Sequence, residues 1–132
     1  MTGSTRAAGN ALVDEYDKNS PAQQLLPRLT DPGVLARWLA LPGIVQRTKS
    51  YWAIPCPKKC GGPFCSMRWV EKQRAILFYC PTCRRGGNAL HVIAFARGLH
   101  IVHDFPKVLR EAERIAIATE RKARQEVRAT TN

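Results

Sequence analysis

The sequence predicts an α+β fold in which a small antiparallel ribbon of strands is flanked by helices. Three observations predict it. Two cysteine pairs, Cys56 with Cys60 and Cys80 with Cys83, bracket a stretch that holds two β-rich runs, 66–71 and 74–79. Only Lys72 and Gln73 separate those runs, which makes them a hairpin. Apolar residues at helical spacing lie on both sides of this block: Val34, Leu35, Trp38 and Leu39 before it, Val108, Leu109, Ala112, Ile115 and Ala116 after it.

In chain order, residues 1–28 are weakly patterned and read as a poorly ordered arm, with a short helix at 11–16 and a turn at Ser20-Pro21. Asp31 and Pro32 form a helix start, cap then first helical residue, and Pro42-Gly43 stops that helix. Residues 51–54 read as a strand leading into Cys56. Gly86-Gly87-Asn88 is expected to open a helix that runs to Arg97 and stops at Gly98. Asp104 is placed to cap a last helix that starts near Phe105-Pro106. Its continuation is charged and Ala-rich, with Glu120 four residues before Arg124. The organisation expected is thus an arm at 1–28, one domain at 29–118 and a charged helical tail at 119–132.

A chain of 132 residues suffices for one compact domain. No apolar run approaches bilayer length and residues 1–10 lack a secretory pattern, so a soluble cytoplasmic protein is expected, with no membrane partner. In a reducing compartment five cysteines make poor disulfide material, and an odd number cannot all pair.

The formal net charge of +11 is unevenly distributed. Between residues 47 and 97 stand Arg47, Lys49, Lys58, Lys59, Arg68, Lys72, Arg74, Arg84, Arg85 and Arg97, against the single acid Glu71. A surface kept soluble by charge normally mixes both signs. A block almost without acids fits a polyanionic partner.

The cysteines fit a structural zinc ion. Cys80-Pro-Thr-Cys83 is a knuckle whose two sulfurs can reach one metal. Cys56-Pro-Lys-Lys-Cys60 offers the other half, with Cys65 as a rival to Cys60. A redox role for Cys80 and Cys83 would call for a βαβ context that this chain lacks. His91, His100 and His103 read as ordinary helix and loop residues. Four protein ligands would leave the ion no open position, so the metal would staple a segment too short to bury its own core.

The runs Tyr51-Trp-Ala-Ile-Pro-Cys56-Pro, Pro63-Phe64, Phe78-Tyr-Cys80-Pro-Thr-Cys83 and Gly86-Gly-Asn-Ala-Leu90 together resemble the zinc-binding domain of bacterial and phage DNA primases. The similarity continues into Phe105-Pro-Lys-Val-Leu109-Arg-Glu-Ala112 and covers about residues 44–118. Cys56 and Cys60 enclose three residues where that family usually has two, while Cys60-Gly-Gly-Pro is similar to the plasmid and phage primase-helicase pattern. The resemblance therefore implies Cys56, Cys60, Cys80 and Cys83 as ligands and Cys65 as a buried thiol. It also implies binding of single-stranded template DNA beside a primer-synthesising polymerase, primase or helicase partner.

Single strands are held by cations that follow the backbone and by aromatics that stack on bases. The hairpin offers both, with Arg68, Lys72 and Arg74 beside Trp69 and Tyr79, and Arg84 and Arg85 after the knuckle. Alternation puts Arg68 and Val70 on one face, Met67 and Trp69 on the other, so Trp69 is either a stacking ring or core. The ten acids are scattered, with no cluster to hold the metal ions of nucleotidyl transfer, so no enzyme activity is expected. The competing reading is a protein-interaction module whose basic face docks an acidic partner. A duplex-DNA regulator fits poorly, because the helix up to Arg97 is mostly apolar.

Overall fold

A computed structural model describes residues 20–42, 45–48, 51–56, 60–61 and 64–131. The Ser20 hydroxyl accepts the Gln23 N–H at 3.2 Å and caps helix α1, Pro21–Leu25, which a 3-10 turn, Leu26–Arg28, continues. Leu25, Leu26 and Leu29 are buried in the core. The sequence placed residues up to 28 in a poorly ordered arm; residues 20–28 instead belong to the fold, because these leucines cover the last helix. The helix expected at 11–16 lies outside the described residues.

Helix α2, Pro32–Trp38, starts as expected: Asp31 Oδ1 accepts the Gly33 and Val34 N–H groups at 2.9 and 3.3 Å. It ends before Pro42, with Leu39 as C-cap and Ala40 in the left-handed region (φ 52°). Leu35, Ala36 and Leu39 are buried. Trp38, expected on the same core face, stands at the edge, and its Nε1 donates to Glu111 at 3.0 Å.

Among the described residues the sheet has five antiparallel strands in sequence order: β1 Val45–Thr48, β2 Tyr51–Ile54, β3 Cys65–Val70, β4 Ala75–Cys80 and β5 Arg85–Asn88. The expected hairpin is β3–β4, in the register Met67 opposite Phe78 and Trp69 opposite Ile76. The strand expected at 51–54 is β2, which pairs Tyr51 with Arg68 and Ile54 with Cys65. β5 corrects the sequence reading, which gave Gly86 and Gly87 to a helix opening. Both glycines are strand residues because they pair with Tyr79 and Phe78 of β4, and glycine is what this close approach admits: a Cβ on Gly86 would stand 2.9 Å from the Phe78 carbonyl oxygen, and one on Gly87 2.7 Å from the His91 ring.

Helix α3, Ala89–Arg97, begins one residue later, under a reciprocal cap. Asn88 Oδ1 accepts the Leu90 and His91 N–H groups, and His91 Nδ1 accepts the Asn88 N–H at 3.2 Å. Gly98 ends the helix at φ 67°, as expected. Helix α4, Phe105–Thr131, is 27 residues long and includes the charged tail as its continuation. The Asp104 carbonyl accepts from Lys107 and Val108, while its carboxylate turns back to the His100 N–H at 2.8 Å.

The helices cover one face of the sheet. Met67, Ile76 and Phe78 meet Leu35, Ile93, Val108 and Ile115 in one core, where the Phe78 and Phe95 rings pack edge to face at 5.7 Å. The other face carries Tyr51, Ser66, Arg68, Leu77 and Tyr79, and no described helix lies on it. The architecture is therefore α+β, as the sequence predicts, with a larger sheet than a simple ribbon. No described helix is long and apolar enough to cross a membrane.

Candidate metal centre and adjoining cationic surface

Strand ends carry the cysteines. Cys56 follows β2, Cys80 closes β4, Cys83 sits in the 81–84 turn and Cys60 lies beyond Cys56. Their four Sγ atoms lie within 4.8 Å of one another, with Cys60–Cys80 at 3.5 Å and Cys56–Cys83 at 3.9 Å. A disulfide would need about 2.05 Å. Four thiolates around one ion at about 2.3 Å would stand roughly 3.8 Å apart, a spacing with which these distances are compatible.

The local chemistry prepares these sulfurs. The Cys83 backbone N–H donates to Cys80, whose thiol is pulled down to about 6 against the desolvation that opposes it. Burial pushes Cys83 the other way. Sulfurs this close repel as thiolates, and a cation between them removes that repulsion. The cluster can therefore hold a metal ion with four protein ligands.

The four cysteines expected as ligands are the ones brought together. Cys65 is fully buried on β3 and outside the group; burial first, then hydrogen bonding to Cys80, raises its thiol pKa well above the ordinary value. It is the buried thiol the sequence predicts. Among the described residues no histidine joins the cluster. His91 serves its helix cap, with its pKa lowered by burial, and His100 Nδ1 accepts the Val102 and His103 N–H groups.

The expected DNA-binding residues are distributed along the sheet rather than gathered at one point. Arg68 and Tyr79 are exposed on the uncovered face, where Tyr79 pairs with Ser66 and Gly86. Arg84 and Arg85 are exposed beside Cys83 at the cysteine end. Lys72 and Arg74 are exposed in the 71–74 turn, at the opposite end of the hairpin. Six residues at about 3.3 Å each put Arg74 roughly 20 Å from Cys80.

Of the two roles the sequence left open for Trp69, the structure favours core packing over stacking beside Arg68. Trp69 lies half-buried on the helical side, packed against the core, with Nε1 donating to Glu71 at 2.7 Å. Strand pleating puts it on the face opposite Arg68 and Tyr79, so it cannot share their surface. Arg97 also leaves the basic block, because it lies in α3 and pairs with Glu111 on α4. The side chains of Arg47, Lys49, Lys58 and Lys59 lie outside the described residues. The sequence reading did not select Tyr51, which stands next to Arg68 across β2 and β3. Its place follows from the strand register, which a single sequence leaves open.

No protein-family model, curated protein or solved structure matches this chain.

Proposed function

We propose that this chain is a zinc-stabilised module that binds single-stranded template DNA, similar to the zinc-binding domain of DNA primases. It would act in the cytoplasm during DNA replication, with a separate polymerase, primase or helicase. The observation that carries the reading is that the four-cysteine cluster closes the same sheet whose uncovered face presents Arg68 and Tyr79, with Arg84 and Arg85 exposed beside the cluster. Four sulfur ligands favour zinc in tetrahedral geometry. Such an ion is a staple and supplies no open position for chemistry.

The uncovered face offers Arg68 for a phosphate and the half-exposed ring of Tyr79 for a base, and Arg84 and Arg85 add positive charge at its cysteine end rather than on the face itself. The acids support a role without primer synthesis of its own, since Glu111, Glu113, Glu120 and Asp31 are engaged in ion pairs with Arg97, Arg28 and Lys122. A reaction that uses two metal ions needs converging free carboxylates.

The test is equilibrium binding of a labelled single-stranded oligonucleotide over a range of salt. Arg68→Ala with Arg84→Ala and Arg85→Ala should flatten the log–log salt slope by about 0.7 for each phosphate no longer neutralised. Tyr79→Ala should lose roughly 1–3 kcal/mol of binding with the fold intact. Trp69→Ala should lower stability and leave affinity unchanged. If the sheet-face variants bind single strands as the wild type does, the reading fails, and docking of an acidic protein partner takes its place.

A further inference from the structure

Helix α4 carries a second cationic surface. Lys107, Arg110, Arg114, Arg121, Arg124 and Arg128 recur at steps of three, four and seven residues, and all six are exposed. Such steps keep side chains on one side of a helix. The buried residues Val108, Ala112, Ile115, Ala116 and Thr119 lie on the other side. The cationic ridge therefore points away from the core. From Lys107 to Arg128 it extends about 32 Å at 1.5 Å per residue.

The acids of α4 stand off the ridge and are occupied elsewhere. Glu111 pairs with Arg97, Glu113 and Glu120 pair with Arg28 of the N-terminal turn, and Glu126 lies with Lys122 on the flank. Arg114 and Arg124 act on Glu111 and Glu120 only through their charge, while those carboxylates take their ion pairs from Arg97 and Arg28. The fold thus directs the charges of Glu111, Glu113 and Glu120 to Arg97 and Arg28, away from the exposed line of Lys107, Arg110, Arg114, Arg121 and Arg124.

We infer that the outer face of α4 binds the phosphate backbone of duplex DNA, as a second nucleic-acid surface behind the single-strand face. The choice of DNA rests on the reading proposed above for the sheet. The ridge matches about nine base pairs at 3.4 Å each, and duplex phosphates repeat regularly over that length. Five of its six cations are arginines, whose planar fork binds phosphate in bidentate fashion. Midway, Ile117 and the edge of Trp38 form an apolar step between Arg114 and Arg121, a place for a sugar between phosphates. A protein partner would need an apolar centre, and beyond this step the ridge offers none. A membrane-lying helix would need its apolar face free, and here that face is core.

The experiment measures binding of a duplex of about 20 base pairs and of a single strand to the intact chain. One variant carries Arg110→Gln, Arg114→Gln, Arg121→Gln and Arg124→Gln together, since Gln keeps helix propensity. A companion variant carries Lys at the same four positions. The Gln variant should lose duplex affinity, with the salt slope reduced by about 0.9 per phosphate no longer neutralised, and keep its single-strand affinity. The Lys variant should retain most of the slope. Arg68→Ala with Arg84→Ala and Arg85→Ala should do the reverse, so failure of the sheet reading and of this one are distinguishable. The inference falls if the wild type does not bind duplex at low salt, or if the Gln variant binds it unchanged. Retention of the wild type on immobilised poly-L-glutamate without duplex binding would assign the ridge to an acidic protein and overturn it too.

Discussion

The cysteine end of the sheet and the helical layer are held by different means. Around the cysteines, Cys60 and the residues at 81, 82, 84, 85 and 86 are exposed, and the chain turns at 81–84. Ile54, Cys56, Cys65 and Cys80 are buried there and join the core, while the turn beyond them is exposed. In the helical layer Leu35, Ile93, Val108 and Ile115 are fully buried, and Arg28 ties the N-terminal turn to α4 through Glu113 and Glu120. One region carries a four-cysteine cluster that can hold a metal ion, the other is stabilised by hydrophobic burial with ion pairs at its rim. The difference teaches that an exposed turn at the margin of a small core can be fixed by metal ligation where burial alone gives little hold.

The largest effect should come from the metal. Cys80→Ser, or chelation, should remove the ion and an apparent stabilisation on the order of 10 kcal/mol from the site. Hydrogen exchange should then show loss of protection in β4 and β5 ahead of α4. Metal content by atomic spectroscopy and exchange mapping would check this. Simultaneous loss everywhere would mean that the two regions form one cooperative unit. Cys65→Ser sharpens the contrast: it should keep the metal, whereas Cys60→Ser should lose it. The opposite pattern would replace Cys60 by Cys65 in the ligand set.

A smaller effect belongs to the helical layer. Ile115→Ala removes a fully buried side chain and should cost about 2–5 kcal/mol in denaturant unfolding, with metal content unchanged. Metal release by this variant would show that the core positions the cysteines.

The smallest effect concerns the rim. Arg28→Ala should cost no more than about 1 kcal/mol, because both partners are over a third exposed. Arg28 holds the Glu120 carboxyl below its ordinary value of 4.5, mainly through its hydrogen bonds. A depressed carboxylate stabilises the fold fully above that value and loses its contribution as pH falls through the lower folded value. The gap in melting temperature between wild type and variant should therefore be constant near neutrality and close under acid. A gap that persists in acid would assign the effect to packing of the arginine stem.

Much of the fold is written locally. The cap at Asp31, the helix start next to Asn88, the left-handed stop at Gly98 and the hairpin of β3 and β4 depend on neighbours within a few positions, and all were legible. The cysteine spacing likewise selected the four residues that meet, because knuckles and strands have fixed reach. Which sheet face is covered, and so whether Trp69 is core, the strand at Gly86 and Gly87, and the burial of Leu25 and Leu26 were not legible. Each depends on what lies opposite: a helix over Trp69, β4 against the glycines, and α4 over the leucines. The same holds for Arg97 and for the ridge on α4. The sequence determined where the cations are, but only the tertiary structure decided which of them meet carboxylates and which face solvent, because ion pairing acts across elements far apart in the chain.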